Sequence, residues 1–480
     1  MTITADLAVV GAGVAGLTAA NRAAELGCRV VVLEQSADER YMCNSRIATG
    51  ALNVAHTDPH SDPKVLREAI ELDTEGYAAP ALADVLAAIA GQSMQWLRAE
   101  GARIIKVAIH GRSRWMLAPP RRLAAGLDWP GRGPDVVLQA LGANLKRRGG
   151  SLILGTRARR LCMEHGRCVG LTADQNDQTL TIDAASVLLA DGGFQANRDL
   201  VRRFISPRPD ALTQRNAGTG RGDALLMAEE AGARLTEAAA FYGHLLARDS
   251  LTNPALWPYP TMDTLASGAI MVDGSGRRFI DEGLGGIAHS NALARSADPL
   301  GATAIFDQAI WDTIGRAELV PPNPQLIAAG GTLVSAGDLA TLADKLGVPA
   351  GALQQTVAAY NQAVIAGEGE RLDPPRTSGR MFGESRNASK RTSVAPVVQP
   401  PYYAVPLAVG LSYTMGGIEI DAQARVIGRH GVPIAGLYAA GSCTGGVEGG
   451  PIGGYIGGYL KAVGLGLIAA QSIEALARTE

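Results

Sequence analysis

The stretch that decides the fold lies at residues 3–16 and reads ITADLAVVGAGVAG. An apolar run of strand character meets three closely spaced glycines, and an alanine-rich segment of helical character follows at residues 17–26. In this arrangement Gly11 allows the tight turn, Gly13 leaves room for a pyrophosphate, and Gly16 lets the helix pack on the strand. The stretch therefore predicts a dinucleotide-binding β-turn-α unit at the start of the chain.

A second apolar run, residues 28–34, follows the predicted helix and ends in an acidic residue. Glu34 stands where a carboxylate accepts hydrogen bonds from ribose hydroxyls, with Gln35 beside it. The amino end of the helix, at Val14 and Ala15, offers unpaired N–H groups and a positive dipole end to phosphates. Because strand, turn, helix and acid all occur at the required spacing, a plain structural turn is a much weaker interpretation. The motif alone does not distinguish NAD from FAD.

Composition and charge exclude several other classes of protein. The 480 residues carry a formal net charge of −2, which gives no electrostatic case for nucleic-acid binding. The five cysteines are scattered without a C-x-x-C pair, as is typical of free thiols in a reducing compartment. The amino terminus shows no secretion signal, and Glu448 and Lys461 interrupt the most apolar stretch. We expect a cytoplasmic protein without a metal site, a nucleic-acid partner or a membrane span.

The pattern along the chain predicts an α/β fold interrupted by a second unit. Helical periodicity alternates with strand candidates in the first half, and prolines and short strands mark a different texture after residue 233. Strand candidates at residues 417–420 and 437–440 and a long helix at residues 453–475 then restore the α/β character. The other predicted helices lie at residues 63–101, 135–148, 223–233, 339–346 and 353–366, and a polar loop lies at residues 374–392.

This alternation predicts the domain organisation. We expect a Rossmann-like domain that is built from two separated segments, residues 1–236 and residues 401–480. An α+β capping domain is inserted between them at residues 237–400.

Further segments resemble, in order, the flavoprotein family of fumarate reductase and succinate dehydrogenase. Residues 44–53, NSRIATGALN, resemble the N-S-x-x-A-x-G-G segment that lies along the flavin in that family. The other matching segments are ADGGF at 190–194, GRGD at 220–223, GRRFIDE at 276–282, YYA at 402–404, YTMGG at 413–417, GLYAAG at 436–441 and TGG at 444–446. The resemblance covers nearly the whole chain, and it implies FAD with a substrate held between the flavin and a mobile cap.

The resemblance also implies which residues hold FAD. Members of membrane-bound complexes link FAD to a histidine in the first segment. The corresponding residue here is Asn44, which cannot form that bond, so we expect non-covalent FAD. The expected cofactor-binding residues are Gly11, Gly13, Val14, Ala15, Gly16, Glu34, Gln35, Asn44, Ser45, Ala48, Thr49, Gly50, Ala51, Ala158, Ala190, Asp191, Gly192, Asp223, Gly441, Ser442, Gly453, Tyr455 and Ile456.

The charged groups of fumarate reductases are missing from this chain. That family uses an arginine as proton donor, an arginine as carboxylate clamp and a glutamate in the proton path. The corresponding positions are Gly286, Pro451 with its neighbour Gly450, and Met262. An arginine holds a carboxylate with two hydrogen bonds that glycine and proline cannot supply, so we do not expect fumarate reduction.

Other family positions keep polar groups that suit a carbonyl substrate. The resemblance makes His244 a substrate-binding histidine and Thr261 a substrate-contacting hydroxyl. Tyr413 replaces a second histidine with a neutral hydroxyl. 3-Ketosteroid Δ1-dehydrogenases, which are similar in plan, polarise a ketone with a tyrosine and a backbone N–H, a role that we assign to the N–H of Gly454. Their tyrosine base, however, also corresponds to Gly286.

The catalytic base therefore stays open among Tyr242, Tyr259, His289 and Tyr413. His244 is open to the alternative of a purely interior histidine, and Tyr242 and Tyr259 to that of packed aromatic residues. We interpret His289 as a solvated or capping residue. The basic pair at residues 121–122 is interpreted as part of a solvated face.

These observations lead to three functional hypotheses. The first is an FAD-dependent dehydrogenase that introduces a double bond α,β to the carbonyl of a small or cyclic ketone or keto acid, by hydride transfer to flavin N5. The second is the reverse reaction, an ene-reductase that acts on an unsaturated carboxylate or enone. Both need a separate electron acceptor or donor. The third is a flavoprotein subunit of a larger complex.

Overall fold

The glycine turn follows the first strand of the largest sheet. The computed structural model describes residues 2–109, 112–378 and 394–477. Within these residues, sheets of eight, six and three strands carry the fold. The polar loop predicted at residues 374–392 lies mostly outside the described residues.

Within the described residues, the three sheets are formed by seventeen strands of two to thirteen residues. They are β1 (Thr2–Val10), β2 (Val30–Leu33), β3 (Ala51–Leu52), β4 (Ile104–Ile109), β5 (Arg112–Leu117), β6 (Ser151–Ile153), β7 (Thr156–Glu164), β8 (Arg167–Gln175), β9 (Gln178–Leu189), β10 (Leu212–Gln214), β11 (Phe241–Ala247), β12 (Ile270–Val272), β13 (Thr303–Asp307), β14 (Val334–Ala336), β15 (Tyr402–Thr414), β16 (Arg425–Ile427) and β17 (Pro433–Ala439).

The described part of the chain contains fourteen α-helices of four to twenty residues. They are α1 (Val14–Glu25), α2 (Asn44–Ile47), α3 (Pro63–Asp73), α4 (Pro80–Ala99), α5 (Gly133–Arg147), α6 (Arg198–Phe204), α7 (Asp223–Glu230), α8 (Asp263–Gly268), α9 (Gly286–Arg295), α10 (Gln308–Asp312), α11 (Pro322–Ala328), α12 (Leu339–Leu346), α13 (Ala350–Ile365) and α14 (Gly458–Ala477).

Most predicted elements form, with three differences. The helical region predicted at residues 63–101 divides into α3 and α4, because Glu75 and Gly76 adopt left-handed φ values of 51° and 76°. The last helix begins at Gly458 rather than at residue 453, since the preceding Gly457 has φ 103°. Residues 417–420 form isolated bridges instead of a strand. The spacing of apolar residues in the sequence does not reveal such breaks, because they depend on backbone φ angles.

The large sheet places the predicted nucleotide turn at its carboxyl edge. Five of its strands run parallel in the order β17-β9-β1-β2-β6. Val10, at the end of β1, lies opposite Leu33 of β2 and Leu189 of β9. The residues that follow these strands therefore meet at one edge, which is where ligands bind in sheets of this type.

The second sheet is organised around β15. This strand pairs with β10, β11, β13 and β14. It follows the predicted boundary at residue 400, and β10 precedes the predicted boundary at residue 237, so the limits of the cap do not coincide with the limits of its sheet. An apolar run indicates a buried strand but not the sheet to which the strand belongs. The domain limits stay a prediction.

Two buried apolar clusters form the cores around the two larger sheets. The first joins residues 5–233 with residues 418–473 and lies around the large sheet. The second is drawn from residues 194–411 and lies around the second sheet. The fold is therefore the predicted one: an α/β Rossmann-like domain from two chain segments, with an inserted α+β capping domain.

Candidate active site

The turn after β1 needs glycine at two positions. Gly11 has φ 96°, and a Cβ there would lie 2.7 Å from the carbonyl oxygen of Ala190. A Cβ on Gly16 would lie 2.0 Å from the carbonyl oxygen of Gly11. Helix α1 can thus start directly under the turn, because nothing larger than hydrogen separates them.

Buried polar groups surround this turn. The N–H of Ala12 donates to Glu34 at 3.3 Å, and the N–H of Ser36 donates to the other oxygen of Glu34 at 3.0 Å. Burial raises the pKa of Glu34. The N–H of Val14, at the amino end of α1, donates to the Ser45 hydroxyl at 3.1 Å. This hydrogen bond connects the turn to residues 44–53, the segment predicted to lie along the flavin.

A first cleft of about 900 Å³ opens over this turn. Asp191 lies in it with Oδ1 buried and without a hydrogen-bond partner among the described residues, while Oδ2 accepts from the N–H of Ala224 at 2.9 Å. Burial raises the pKa of Asp191 to about 7. The glycine turn, the helix end and two buried carboxyl groups suit the diphosphate and hydroxyls of a dinucleotide. The predicted residues that line it are Gly11, Gly13, Val14, Ala15, Glu34, Gln35, Asn44, Ser45, Ala158, Ala190, Asp191, Gly192, Asp223, Gly441 and Ser442.

A second cleft of about 940 Å³ continues from the first. The residues that line both are Val14, Asn44, Ser45, Ser442 and Ala462. The predicted segment Ala48, Thr49, Gly50 and Ala51 lines the second cleft only. Together the clefts form one groove, as an extended FAD molecule requires. Tyr455 lines the second cleft, whereas Gly16, Gly453 and Ile456, which we also predicted to bind FAD, line neither cleft.

Asn44 lines the groove where the two clefts meet. Its Nδ2 donates to the carbonyl oxygen of Ser412 at 2.9 Å, and its Oδ1 accepts from the N–H of Ala217 at 2.9 Å. The side chain therefore links α2 to the second sheet. Nearby, the buried guanidinium of Arg46 forms an ion pair with Asp135 of α5 and stacks on Tyr41. The segment predicted to lie along the flavin is thus held by contacts with the second sheet and with α5.

Five tyrosines line the second cleft: Tyr242, Tyr259, Tyr413, Tyr455 and Tyr459. The ring of Tyr242 stacks on Tyr413 at 5.2 Å and on Tyr455 at 4.5 Å between centroids. Tyr242 and Tyr413 are paired residues of β11 and β15, where a bulge follows Tyr242. Burial raises the pKa values of Tyr242 and Tyr413 well above the usual range, so both remain neutral hydroxyls.

The Tyr413 hydroxyl belongs to a buried network that sequence reasoning missed. It donates to Glu448, with oxygens at 3.1 and 3.2 Å. Glu448 also accepts from the N–H of Ile456 at 3.1 Å and forms an ion pair with Lys461 of α14. The side chains of Glu448 and Lys461 are 0% and 2% exposed. The only sequence signal was that both charges interrupt an apolar stretch.

His244 lies beneath the tyrosines. Its ring meets Tyr242 edge-on at 4.8 Å, and its Nδ1 is hydrogen-bonded to Asp263. A Cβ on Gly286 would fall 2.0 Å from the Asp263 carboxyl carbon. Asp263 thus occupies the space in which a side chain at position 286 would begin. Burial, and next the charge of Arg215, lower the pKa of His244, which favours the neutral ring.

Three other predicted groups differ from expectation. The N–H of Gly454 donates to the carbonyl oxygen of Gly449 at 2.7 Å, so it is not directed at a substrate in this structure. Thr261 is buried beside β11 rather than in the cleft lining. His289 is fully buried in α9 with Nε2 at 3.1 Å from the carbonyl oxygen of Asp281, and our interpretation of it as solvated was wrong.

The burial of Arg121 contradicts our interpretation of residues 121–122 as part of a solvated face. We interpreted its basic pair as solvated, yet Arg121 is 8% exposed and lines the second cleft, while Arg122 is exposed. Arg215 is 9% exposed and lines the same cleft. Neither residue lies in an element with a periodic pattern, so the sequence alone carried no sign of their burial.

Two general findings concern the described part of the chain. None of its helices is both long and apolar enough to cross a membrane. Nor do three or more of its histidine, cysteine, aspartate and glutamate side chains converge in a way that suits a metal ion.

The fold and the continuous groove define the class: this is an FAD-dependent oxidoreductase of the kind that acts on carbon–carbon bonds. The chain belongs to the FAD binding domain family, which it matches over residues 6–454. A cytochrome-type fumarate reductase of Shewanella frigidimarina is 28% identical over 92% of this chain and 72% of that protein.

Two further relatives are similar. The 4-oxocyclohexanecarboxylate 2-dehydrogenase of Sinomonas cyclohexanicum is 30% identical over 67% of this chain and 57% of that protein. The solved structure of the 3-ketosteroid delta1-dehydrogenase from Sterolibacterium denitrificans is 22% identical, with a TM-score of 0.75, and covers 98% of this chain and all of that one. The latter likeness shows a shared fold.

Proposed function

We propose that this protein is a dehydrogenase that introduces a double bond α,β to the carbonyl of a small or cyclic ketone or keto acid. One observation carries the proposal: a cluster of tyrosines lines the second cleft, while the positions of the charged groups of fumarate reductases hold Gly286, Pro451 and Met262. The similarity to a 4-oxocyclohexanecarboxylate 2-dehydrogenase supports it. Electrons would pass to a separate acceptor.

The residues of the groove suit non-covalent FAD. The backbone turn at Gly11, the buried carboxyls of Glu34 and Asp191, and the segment from Asn44 to Ala51 would hold it. When bound, FAD supplies a two-electron acceptor for dehydrogenation. Acid denaturation followed by filtration should leave the yellow colour in the filtrate, and colour that stays with the protein would contradict non-covalent binding.

Neutral tyrosines polarise the substrate carbonyl in this proposal. Tyr242 and Tyr455 line the cleft, and burial raises the pKa of both, so each keeps a proton to donate. A hydrogen-bond donor fixed at a developing enolate oxygen is worth about 3 kcal/mol of transition-state stabilisation. The polarised carbonyl makes the hydrogen on the adjacent carbon acidic.

Tyr413 removes that hydrogen as a proton. Its own O–H points to Glu448, so its oxygen can accept the substrate proton while its hydroxyl proton passes to the carboxylate. Lys461 stabilises Glu448 as an anion before the step. The neutral Glu448 that results must later release the proton. This route gives Tyr413 the role of base despite its raised pKa.

The reverse reaction is the second candidate. The similarity to fumarate reductase over 92% of this chain favours it. The same groups would then operate backwards, with Glu448 supplying a proton through Tyr413 to an enone or an unsaturated carboxylate. Both candidates assign the same residues, so only the substrates separate them.

Anaerobic mixing of the oxidised enzyme with saturated and unsaturated compounds tests the direction. We expect a saturated cyclic ketone or keto acid to bleach the flavin absorbance. Reoxidation of chemically reduced enzyme by enones, without any bleaching by saturated ketones, would establish the reductase instead. Bleaching by dicarboxylates alone would refute the carbonyl proposal.

A Tyr413→Phe variant tests the base. Phenylalanine keeps the stack on Tyr242 but cannot carry a proton, so the rate of bleaching should fall ~10²–10⁴-fold with FAD content unchanged. Tyr403→Phe is the matched control, because that hydroxyl, also on β15, donates to Gln308 of α10 and does not line the second cleft. Equal rates in wild type and Tyr413→Phe would exclude Tyr413 as the base.

A further inference from the structure

Two buried arginines contact the same aromatic ring in the second cleft. The guanidinium carbons of Arg121 and Arg215 lie 4.8 and 5.2 Å from the ring centroid of Tyr259. Both residues line the cleft that also contains the tyrosine cluster. The cleft therefore has a hydroxyl-rich part and a positively charged part.

The hydrogen bonds of these arginines go to neutral groups. Arg215 donates through Nε to the carbonyl oxygen of Pro258 at 3.0 Å and through Nη1 to the Ser412 hydroxyl at 2.8 Å. Arg121 donates to the carbonyl oxygen of Gly126, and its buried Nε has no partner within the described residues. In that part of the chain neither guanidinium forms an ion pair with a carboxylate.

Such an arrangement is costly without an anion. Guanidinium groups stay protonated, although burial lowers the pKa of Arg121. The like charge of Arg215 also lowers the pKa of Arg121, so the two guanidinium groups, each more than nine-tenths buried, repel each other. Buried charges in proteins are paired or serve a ligand. A carboxylate fits best, because its two oxygens match the planar guanidinium fork.

We propose that Arg121 and Arg215 form a subsite that binds a carboxylate of the substrate, so that the substrate is a keto acid rather than a neutral ketone. This inference rests on the proposed function in placing the substrate carbonyl among the tyrosines of the same cleft. The carboxylate then lies beside Tyr259, and the two ends of the molecule fix its orientation. A dicarboxylate would bring a second anion against the neutral hydroxyls, where no cation lines the cleft within the described residues.

The test uses ligands that need no turnover. Cyclohexanecarboxylate and cyclohexanecarboxamide have the same shape but differ in charge. Titration of oxidised holoenzyme, followed by calorimetry and by the visible spectrum of FAD, gives a dissociation constant for each. We expect the wild type to bind the carboxylate ~10- to 100-fold more tightly than the amide.

The variants Arg121→Gln and Arg215→Gln should each remove most of that preference while binding of the amide changes less than about twofold. Arg122→Gln is the matched control, since Arg122 is exposed beside Arg121. Should a glutamine variant lose FAD or fold poorly, Arg121→Lys and Arg215→Lys keep the charge and should retain part of the preference. FAD content and circular dichroism are recorded for every variant.

Two binding results would overturn the subsite, and a third, from turnover, is given below: equal binding of carboxylate and amide by the wild type, or loss of both ligands in parallel in every variant. Failure of the proposed function looks different. If the carboxylate preference depends on both arginines but no saturated ketone bleaches the flavin, the subsite stands and the dehydrogenase proposal fails. If neutral cyclic ketones and keto acids bleach the flavin equally well, the dehydrogenase stands and the subsite fails.

Discussion

The two parts of the groove are built in different ways. The first cleft is built around the local motif of residues 10–35, in which Gly11 and Gly16 leave the space and Glu34 closes it, and later segments such as residues 190–193 and 441–442 complete its lining. The second cleft is made of side chains that arrive from distant segments, as Tyr242 and Tyr413 show. The binding of the cofactor begins with a motif that the local sequence already defines, whereas the lining of the second cleft has no such local motif.

The largest effect is expected in the first cleft. Gly16→Val would place side-chain carbon 2.0 Å from the Gly11 carbonyl oxygen, a clash with backbone that cannot move without opening the turn. We expect loss of FAD and of most folded protein, measured by the flavin absorbance per chain. Gly142→Ala in α5 is the control, because its added methyl meets open space and alanine favours a helix. Full FAD occupancy in Gly16→Val would show that the turn is more plastic than its geometry implies.

A smaller effect is expected from the buried charges of the second cleft. Glu448→Gln leaves Lys461 without its anion and should lower the free energy of unfolding by ~3–5 kcal/mol. Urea denaturation of the holoenzyme measures this, and the double variant Glu448→Gln/Lys461→Met should recover part of the loss. The exposed pair of Arg67 and Glu71 gives the contrast, since Glu71→Gln should cost at most ~0.5 kcal/mol. Similar costs for both would mean that the buried pair is not an ion pair in solution.

The smallest effect concerns pH. Burial raises the pKa of Glu318 to about 7, above its value of about 4.3 in an unfolded chain. The folded state therefore holds a proton that the unfolded state releases, and the contribution of this group to stability is lost as the pH rises from about 4 to about 7. We expect the unfolding free energy of wild type to decline over that range by on the order of 1 kcal/mol per pH unit relative to Glu318→Gln. Parallel pH profiles for the two proteins would refute a raised pKa.

Much of the fold was predictable because its signals are local. The strand, turn and helix at residues 3–25 follow from spacing and from glycine chemistry, and α12 has the predicted limits. The limits of α14 and the bridges at residues 417–420 were missed. Backbone breaks at glycine depend on φ angles that composition does not reveal.

The candidate site was predictable only in part. Tyr413 was identified through family resemblance and Tyr242 as one of the open candidates for the base, and the structure brings them together in one cluster. Glu448, Arg121 and Arg215 were not identified, because loops carry no periodicity and a charge in a loop is most often at the surface. Burial alone distinguishes Arg121 from its exposed neighbour, and burial is a property of the assembled chain.

The sequence by itself determined that a dinucleotide binds at the glycine turn after β1, because turn, helix end and acid act within about thirty residues. Only the tertiary structure decided which charged side chains lie in and around the second cleft. It placed Asp263 at the empty position beside Gly286, Glu448 behind Tyr413, and two arginines around Tyr259. These contacts join residues far apart in the chain, so their energies depend on packing rather than on local spacing.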